Sequence, residues 1–128
     1  MALRVGIDLV AVASVAESLA AHGDRFLDRV CTAREAQGCR TAAGPDPARL
    51  AAVLAAKEAA MKVLRPGAEA PLPWTDIEVL DAPGGGHTLE LGGSAARLAA
   101  DLGMGDLSVS LTREGGHAAA VVLAGFPV

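Results

Sequence analysis

The two lysines of this chain lie close together, beside a glutamate, and the three side chains could do phosphate chemistry. The chain has nine arginines but only two lysines, Lys57 and Lys62, and both fall within six residues around Glu58. Glu58 and Lys62 are four residues apart, so they share one face of a helix. One interpretation is an ion pair that stabilises this helix by about 0.2–0.5 kcal/mol. The other is a compact ammonium that holds a phosphate next to a carboxylate-bound metal.

A single carboxylate interrupts the apolar run near the start of the chain. Asp8 is the only polar residue between Val5 and Val10, in a pattern typical of a buried strand. A carboxylate between a strand and a helix is commonly an N-cap. If the long helix packs on this strand, however, Asp8, Glu58 and Lys62 converge. Two carboxylates would then suit Mg²⁺, with water and phosphate oxygens completing its octahedron.

Composition limits the fold that must position these residues. The chain has 128 residues, of which 52% are hydrophobic, and a net charge of -4. This length fits one globular domain with its own core and argues against disorder. An acidic balance with 2% aromatic residues argues against a nucleic-acid partner. No apolar run is long enough for a membrane span, and two cysteines are too few for a disulfide framework or a zinc site, so we expect a cytoplasmic protein.

Hydrophobic periodicity predicts an α+β fold with helices packed on a mainly antiparallel sheet. The predicted segments are a strand over 5–10, a helix over 12–22, short helices over 24–30 and from 33, a long helix from 48 to about 64, strands over 74–80 and 87–91, a helix from 94 to near 103, and strands over 107–112 and 117–124. The two pairs of strands are predicted hairpins.

Four local patterns predict where helices begin and end. Thr32 and Glu35 have the spacing of a capping box. Asp46 followed by proline predicts an N-cap for the long helix, and Arg65-Pro66-Gly67 predicts its end. Ser94 is the predicted cap of the last helix.

In this order, five motifs make the chain resemble the holo-acyl-carrier-protein synthase type of 4'-phosphopantetheinyl transferase over nearly its whole length. A Gly-x-Asp strand comes first, then a Phe-x-x-Arg-x-x-Thr-x-x-Glu segment, an Ala-Ala-Lys-Glu-Ala-x-x-Lys helix, a Trp-x-Asp-Ile-Glu-Val strand, and a Val-Ser turn before a final Ala-rich strand. Here they are Gly6–Asp8, Phe26–Glu35, Ala55–Lys62, Trp74–Val79 and Val109–Arg113.

The resemblance implies a reaction and a site. Such enzymes move the phosphopantetheine arm of coenzyme A onto a serine of an apo carrier protein and release 3',5'-ADP. Carried over by position, Asp8 and Glu58 become the Mg²⁺ ligands, Lys62 contacts the pyrophosphate, and the three together form the catalytic set. The serine proton would pass to the Glu58 carboxylate or to a metal-bound water, and the sequence does not choose between them.

The resemblance also implies a homotrimer that binds coenzyme A in clefts between subunits, and further contacts to this substrate. We expect Lys62, Arg49, Arg65, Gly67 and Arg113 among those contacts. Arg113 stands where the family typically has a histidine. The arginine keeps a positive charge at this position but, unlike histidine, it cannot shuttle a proton near neutral pH.

Other departures also fall on ligand contacts. Val53 replaces a usual arginine one turn before Lys57, with Arg49 as its possible replacement, and His87 replaces a common proline.

On the side that docks the carrier in relatives, Ala13, Ser14 and Glu17 stand where basic residues are usual. An acidic carrier would gain little attraction there, so we expect either a carrier from a specialised polyketide or peptide assembly line or a weaker interaction. The alternative function is a catalytically impaired homologue that keeps the trimer and coenzyme A binding as a binding or structural protein.

Overall fold

The sheet and helices of the predicted α+β fold are all present in the computed structural model, which describes residues 2–67 and 70–127. In chain order the elements are β1 (Ala2–Ala11), α1 (Val12–His22), α2 (Asp24–Val30), α3 (Ala33–Cys39), β2 (Arg40–Thr41), β3 (Gly44–Pro45), α4 (Pro47–Leu64), a 3-10 turn (Trp74–Asp76), β4 (Ile77–Asp81), β5 (His87–Leu91), α5 (Gly93–Asp101), β6 (Leu107–Glu114) and β7 (His117–Phe126).

One antiparallel sheet forms the framework of the molecule. Its five strands have the order β1-β7-β6-β5-β4, so the first strand pairs with the last and β4 forms the far edge. The β1–β7 register runs from Ala2 opposite Phe126 to Ala11 opposite His117. β2 and β3 form a separate two-stranded ribbon between α3 and α4. The mainly antiparallel sheet expected from the sequence is thereby confirmed.

The long helix α4 is the centre of the core, and alanines bring it close to the sheet. Twelve of its 18 residues are buried. At the closest approach to β1, a Cβ added to Gly6 would lie 2.1 Å from the Ala59 carbonyl oxygen. Only glycine fits there, because nearer than about 3 Å one of the two backbones would have to move. This contact places Asp8, two residues along β1, beside the second half of α4.

The predicted ends of α4 are confirmed. The Asp46 side chain accepts a hydrogen bond from the Ala48 N–H (3.0 Å), and Pro47 begins the helix. At the other end Arg65 adopts the left-handed conformation, with φ of 51°. Non-glycine residues rarely adopt this conformation. It ends the helix at a turn, and the Arg65 side chain lies on the protein surface.

The capping box of Thr32 and Glu35 is confirmed, but two other local predictions are wrong. Ser94 is not a cap. The Asp76 carboxylate instead accepts from the Ser94 N–H (2.8 Å) at the start of α5. The strand expected from position 74 starts only at Ile77, because Trp74–Asp76 form the 3-10 turn that presents this carboxylate to α5.

The outer face of β1 carries an apolar stripe. Side chains alternate along the strand, and four of those on the outer face are 61–65% exposed: Leu3, Val5, Ile7 and Leu9. Val121 and Leu123 of the neighbouring β7 extend the stripe. Within residues 2–67 and 70–127, no helix has both the length and the apolar composition of a membrane span.

Candidate active site

The structure brings Asp8, Glu58 and Lys62 together where β1 crosses α4. The Lys62 ammonium donates to Asp8 Oδ1 (3.0 Å) and to the Ile7 carbonyl oxygen (2.8 Å). Lys62 therefore pairs with the strand, and the described residues contain no Glu58–Lys62 ion pair within 4 Å. Asp8 is not an N-cap either, since α1 begins only after Ala11. Neither of the two simple interpretations drawn from the sequence applies.

The two carboxyl groups perturb each other's ionisation. A shared proton would bond Glu58 to Asp8, and this bond, burial and the Asp8 charge raise the pKa of Glu58 to about 7. Burial alone would raise the pKa of Asp8, but bonds to Glu58, Lys62 and the Leu9 backbone outweigh it and leave this pKa below its ordinary value. Without a cation, then, the pair tends to hold one proton, on the Glu58 side.

The pair fits a hard divalent cation. Asp8 Oδ2 is buried and has no hydrogen-bond donor among the described residues. A free oxygen beside a second carboxylate is what Mg²⁺ uses when it is held by one or two side chains and keeps its other positions for water and phosphate. The described residues contain no cluster of three or more His, Cys, Asp or Glu side chains that would form a more enclosed metal site.

An open cleft of about 570 Å³ adjoins this group. Residues of α4 and of the link that follows it form most of the wall: Glu58, Met61, Lys62, Arg65 and Pro66. Trp74 completes it from the 3-10 turn. Of the expected coenzyme A contacts, Lys62 and Arg65 face this cleft, whereas Gly67 is exposed and lies outside its lining.

A second cavity, of about 410 Å³, contains the other two expected contacts. Arg49 and Arg113 both line it, together with His87 from the neighbouring hairpin. The Asp81 carboxylate links two of these groups, because it bonds Arg49 (3.1 Å) and lies 3.3 Å from His87 Nε2. Val53, which stands where the resemblance implies an arginine, lines the same cavity, and Arg49 is the arginine of α4 that lines it. The cavity thus presents cationic side chains, one of which, Arg49, is already paired with a carboxylate.

The two cavities lie on opposite sides of α4. Arg49 and Glu58 are nine residues apart, which is about 180° of rotation and about 13 Å of rise along an α-helix. Lys62 is rotated from Arg49 by about 140°. The resemblance implies that these residues contact coenzyme A in a cleft between subunits; within one chain they line two separate cavities.

Sequence reasoning missed a buried ion pair, one partner of which, Glu35, lines the second cavity. Lys57 and Glu35 are both buried, with Lys57 Nζ 2.6 Å from Glu35 Oε1. A lysine on the otherwise apolar inner side of a helix was the feature that indicated it, because a lysine is almost never fully buried unless it is paired.

The residues that the resemblance implies for carrier docking are on the surface of α1. Ala13, Ser14 and Glu17 are exposed on α1, and none of them carries a positive charge.

Comparisons with known proteins agree with this architecture. Residues 4–122 match the family model described as the 4'-phosphopantetheinyl transferase superfamily. The holo-[acyl-carrier-protein] synthase of Koribacter versatilis is 43% identical over 116 residues, which cover 89% of this chain and 92% of that protein. The protein of the same name from Desulforudis audaxviator is 39% identical, covering 97% and 93%.

Solved structures show the same fold. The Chronobacterium ammoniagenes ACPS-CoA complex superposes with a TM-score of 0.86 at 32% identity, over the whole of both chains. The Helicobacter pylori holo-[acyl-carrier-protein] synthase in complex with coenzyme A gives a TM-score of 0.81 at 26% identity, covering 95% of this chain and all of that one.

Proposed function

Because the chain belongs to the 4'-phosphopantetheinyl transferase superfamily, as an enzyme of the holo-acyl-carrier-protein synthase kind, we propose the following reaction for it. The protein transfers the 4'-phosphopantetheine arm of coenzyme A to a serine of an apo acyl or peptidyl carrier protein and releases 3',5'-ADP. The reaction depends on Mg²⁺. The observation that carries the proposal is the convergence of Asp8, Glu58 and Lys62 at one open cleft.

Each of the three side chains has a role in phosphoryl transfer. Asp8 and Glu58 would hold Mg²⁺, which supplies positive charge for the pyrophosphate and for the charge that develops as its bond breaks. Lys62, which is exposed and anchored on β1, points a fixed ammonium at the same phosphates. The serine hydroxyl must lose its proton as it attacks phosphorus, and the acceptor would be Glu58 or a metal-bound water.

One coenzyme A molecule would need two copies of the chain. The nucleotide end suits the cavity of Arg49 and Arg113, whereas the pyrophosphate suits Lys62 on the opposite side of α4. We therefore propose a closed homotrimer in which the cleft of one subunit faces the Arg113 cavity of the next. The apolar stripe on β1 supports this assembly, because monomers rarely expose so continuous an apolar surface.

The carrier that this enzyme modifies would differ from a strongly acidic one. The exposed part of α1 offers Glu17 and no cation at positions 13, 14 and 17, so an acidic carrier helix gains no charge attraction from them. We propose a carrier from a specialised polyketide or peptide assembly line as the substrate. The described cysteines are both free and buried, which suits action in the reducing cytoplasm.

Mass spectrometry tests the proposal directly. The protein is incubated with Mg²⁺, coenzyme A and a panel of apo carriers, and we expect one carrier to gain the mass of one phosphopantetheine. Asp8→Ala and Glu58→Ala should each remove most of this turnover with the fold retained. Turnover within twofold of the unaltered protein in either variant would refute the metal assignment.

The altered nucleotide cavity favours one other function. With Arg113 in place of histidine and Val53 in place of arginine, the chain would retain coenzyme A binding without efficient transfer. Coenzyme A binding by calorimetry, with no mass gain on any carrier, would support this binding or structural role over the enzyme.

A further inference from the structure

The buried pair of Lys57 and Glu35 links three parts of the molecule. Glu35 Oε1 accepts from Lys57 and from the Thr32 N–H (2.8 Å), and Oε2 accepts from the Val79 N–H (2.7 Å). Val79 lies in β4, the edge strand of the sheet, so this bond satisfies a donor that no further strand would reach. Glu35 is thus fixed to α3 and to the sheet edge, and Lys57 ties α4 to that anchor.

Lys57 has a second bond, and it leads to the open cleft. Its ammonium donates to the Trp74 carbonyl oxygen (3.0 Å), which also accepts from the Ile77 N–H at the end of the 3-10 turn. Among the described residues, Trp74 is the only part of the cleft wall that comes from outside α4 and its following link. The lysine that precedes Glu58 therefore bonds the backbone of the residue that lines the cleft from outside α4.

Burying a charged pair costs desolvation free energy, so filling the core does not explain why this pair is present. Apolar side chains of similar volume often stabilise a fold as well as a buried ion pair does. A methionine at position 57 could fill the space, but it could not donate to a carbonyl oxygen. What the ammonium adds is a fixed position for the Trp74 backbone.

We propose that Lys57 and Glu35 are positioning residues for the transfer reaction. They hold Trp74 in place as part of the cleft wall, beside Glu58 and Lys62, and thereby set the affinity of the cleft for coenzyme A. This inference rests on the proposed function for its kinetic part only. The position of Trp74 is measurable without any reaction, since Trp74 is the only tryptophan of the chain.

The experiment compares the unaltered protein with Lys57→Met and with the double variant Lys57→Met/Glu35→Gln, which leaves neither partner charged in the core. Trp74 fluorescence is recorded at a temperature where melting curves show a folded protein. We expect acrylamide quenching of Trp74 to rise at least twofold in both variants. In Lys57→Met, whose altered residue is not among the lining of either cavity, we also expect KM for coenzyme A to rise at least fivefold while kcat changes less than twofold, because a wall contacts the substrate equally before and during reaction. The double variant is compared by quenching alone, because Glu35 also lines the Arg113 cavity.

A merely structural role predicts a different split, in which kcat falls with the folded fraction while KM and the quenching of the folded protein stay unchanged. That result would overturn the proposal. Arg40→Met is the control, since it removes an exposed ion pair between Arg40 of β2 and Asp24 of α2 and leaves Glu35 untouched. Its Trp74 quenching, its KM for coenzyme A and its kcat should match those of the unaltered protein.

Two further outcomes keep the inference separate from the proposed function. If no carrier is modified, the transfer reaction fails, but the quenching comparison still decides whether Lys57 positions Trp74. If both variants fail to fold, ¹⁵N NMR of the unaltered protein decides instead. The Lys57 ammonium and Trp74 indole signals should shift together when Mg²⁺ and 3',5'-ADP are added. An indole shift with an unmoved ammonium signal would contradict the coupling.

Discussion

At the scale of single residues, the groups that are prepared to bind a ligand lower the stability of the folded protein. Glu58 lies beside Asp8, and this neighbour keeps the pKa of Glu58 near 7. Asp8 Oδ2 is buried with no donor among the residues described. Groups placed this way suit a cation because the protein satisfies them only in part, so stability and activity should respond oppositely to their removal.

Glu58→Gln, studied without divalent cations, tests whether removing the Glu58 charge stabilises the folded protein. Folding raises the pKa of Glu58 from 4.5 to about 7, so its contribution to stability is fully present below pH 4.5 and is lost as the pH rises through 7. Glutamine resembles the protonated form. The variant should therefore melt a few degrees above the unaltered protein at pH 8 and at the same temperature at pH 4.5.

Two additions complete the melting experiment. Mg²⁺ should raise the melting temperature of the unaltered protein at pH 8 and have little effect on Glu58→Gln. Glu17→Gln, on the exposed face of α1, is the control and should change neither result. A Glu58→Gln protein that melts lower than the unaltered one at pH 8 would contradict the inference that the Glu58 charge destabilises the fold beside Asp8.

Arg113 offers a second prediction at this scale, concerning substrate affinity. If it binds a phosphate of coenzyme A, Arg113→Ala should weaken binding by about 1.5–3 kcal/mol, the size of a hydrogen bond to a charged group. KM for coenzyme A would then rise roughly 10- to 150-fold, with a smaller change in kcat. Arg97→Ala, an exposed arginine of α5 outside both cavities, is the control.

Arg113→His distinguishes charge from proton transfer. As a substitute for charge alone, histidine should bind coenzyme A better as the pH falls below about 6.5. A several-fold gain in kcat near neutral pH, at saturating coenzyme A, would instead show that the family's histidine moves a proton and that this chain is impaired.

At the scale of elements, the sequence predicted what depends on neighbours along the chain. The capping box at Thr32 and both ends of α4 follow from local rules, and the structure confirms them. The cap of α5 does not, because Asp76 reaches its backbone from eighteen residues away. No local pattern distinguishes such a carboxylate from the nearer Ser94, and the burial of Lys57 likewise depends on a partner twenty-two residues earlier.

The cap of α5 yields a prediction about stability. Asp76→Ala should lower the free energy of unfolding by about 1 kcal/mol, since it leaves N–H groups at the start of the helix without their acceptor. Ser94→Ala should change it by less than about 0.5 kcal/mol. Urea denaturation of the two variants measures both values, and the reverse order would restore Ser94 as the cap.

At the scale of the whole molecule, the outer face of β1 predicts association. The proposed trimer would cover the stripe that begins at Leu3, and a charge placed within it would have to be buried without a partner. We expect Val5→Lys to be monomeric by light scattering at micromolar concentration and to lose carrier modification. Glu17→Lys, which also adds a lysine to an exposed position, should remain assembled.

The monomer's fold gives this experiment a clear control. Val5 is 63% exposed in the single chain, so Val5→Lys should keep its circular dichroism spectrum. An unaltered protein that is itself monomeric would refute the trimer, and with it the cleft shared between subunits.

The separation of Arg113 and Asp8 on two sides of α4 has a genetic consequence. In the proposed trimer, an allele that damages Asp8 would spoil one half of every shared cleft, and an allele that damages Arg113 would spoil the other half. In mixed trimers of the two products, roughly a quarter of the clefts would combine two intact halves if subunits assort at random. Two defective alleles would then complement each other in one cell, whereas two alleles on the same side of the helix would not.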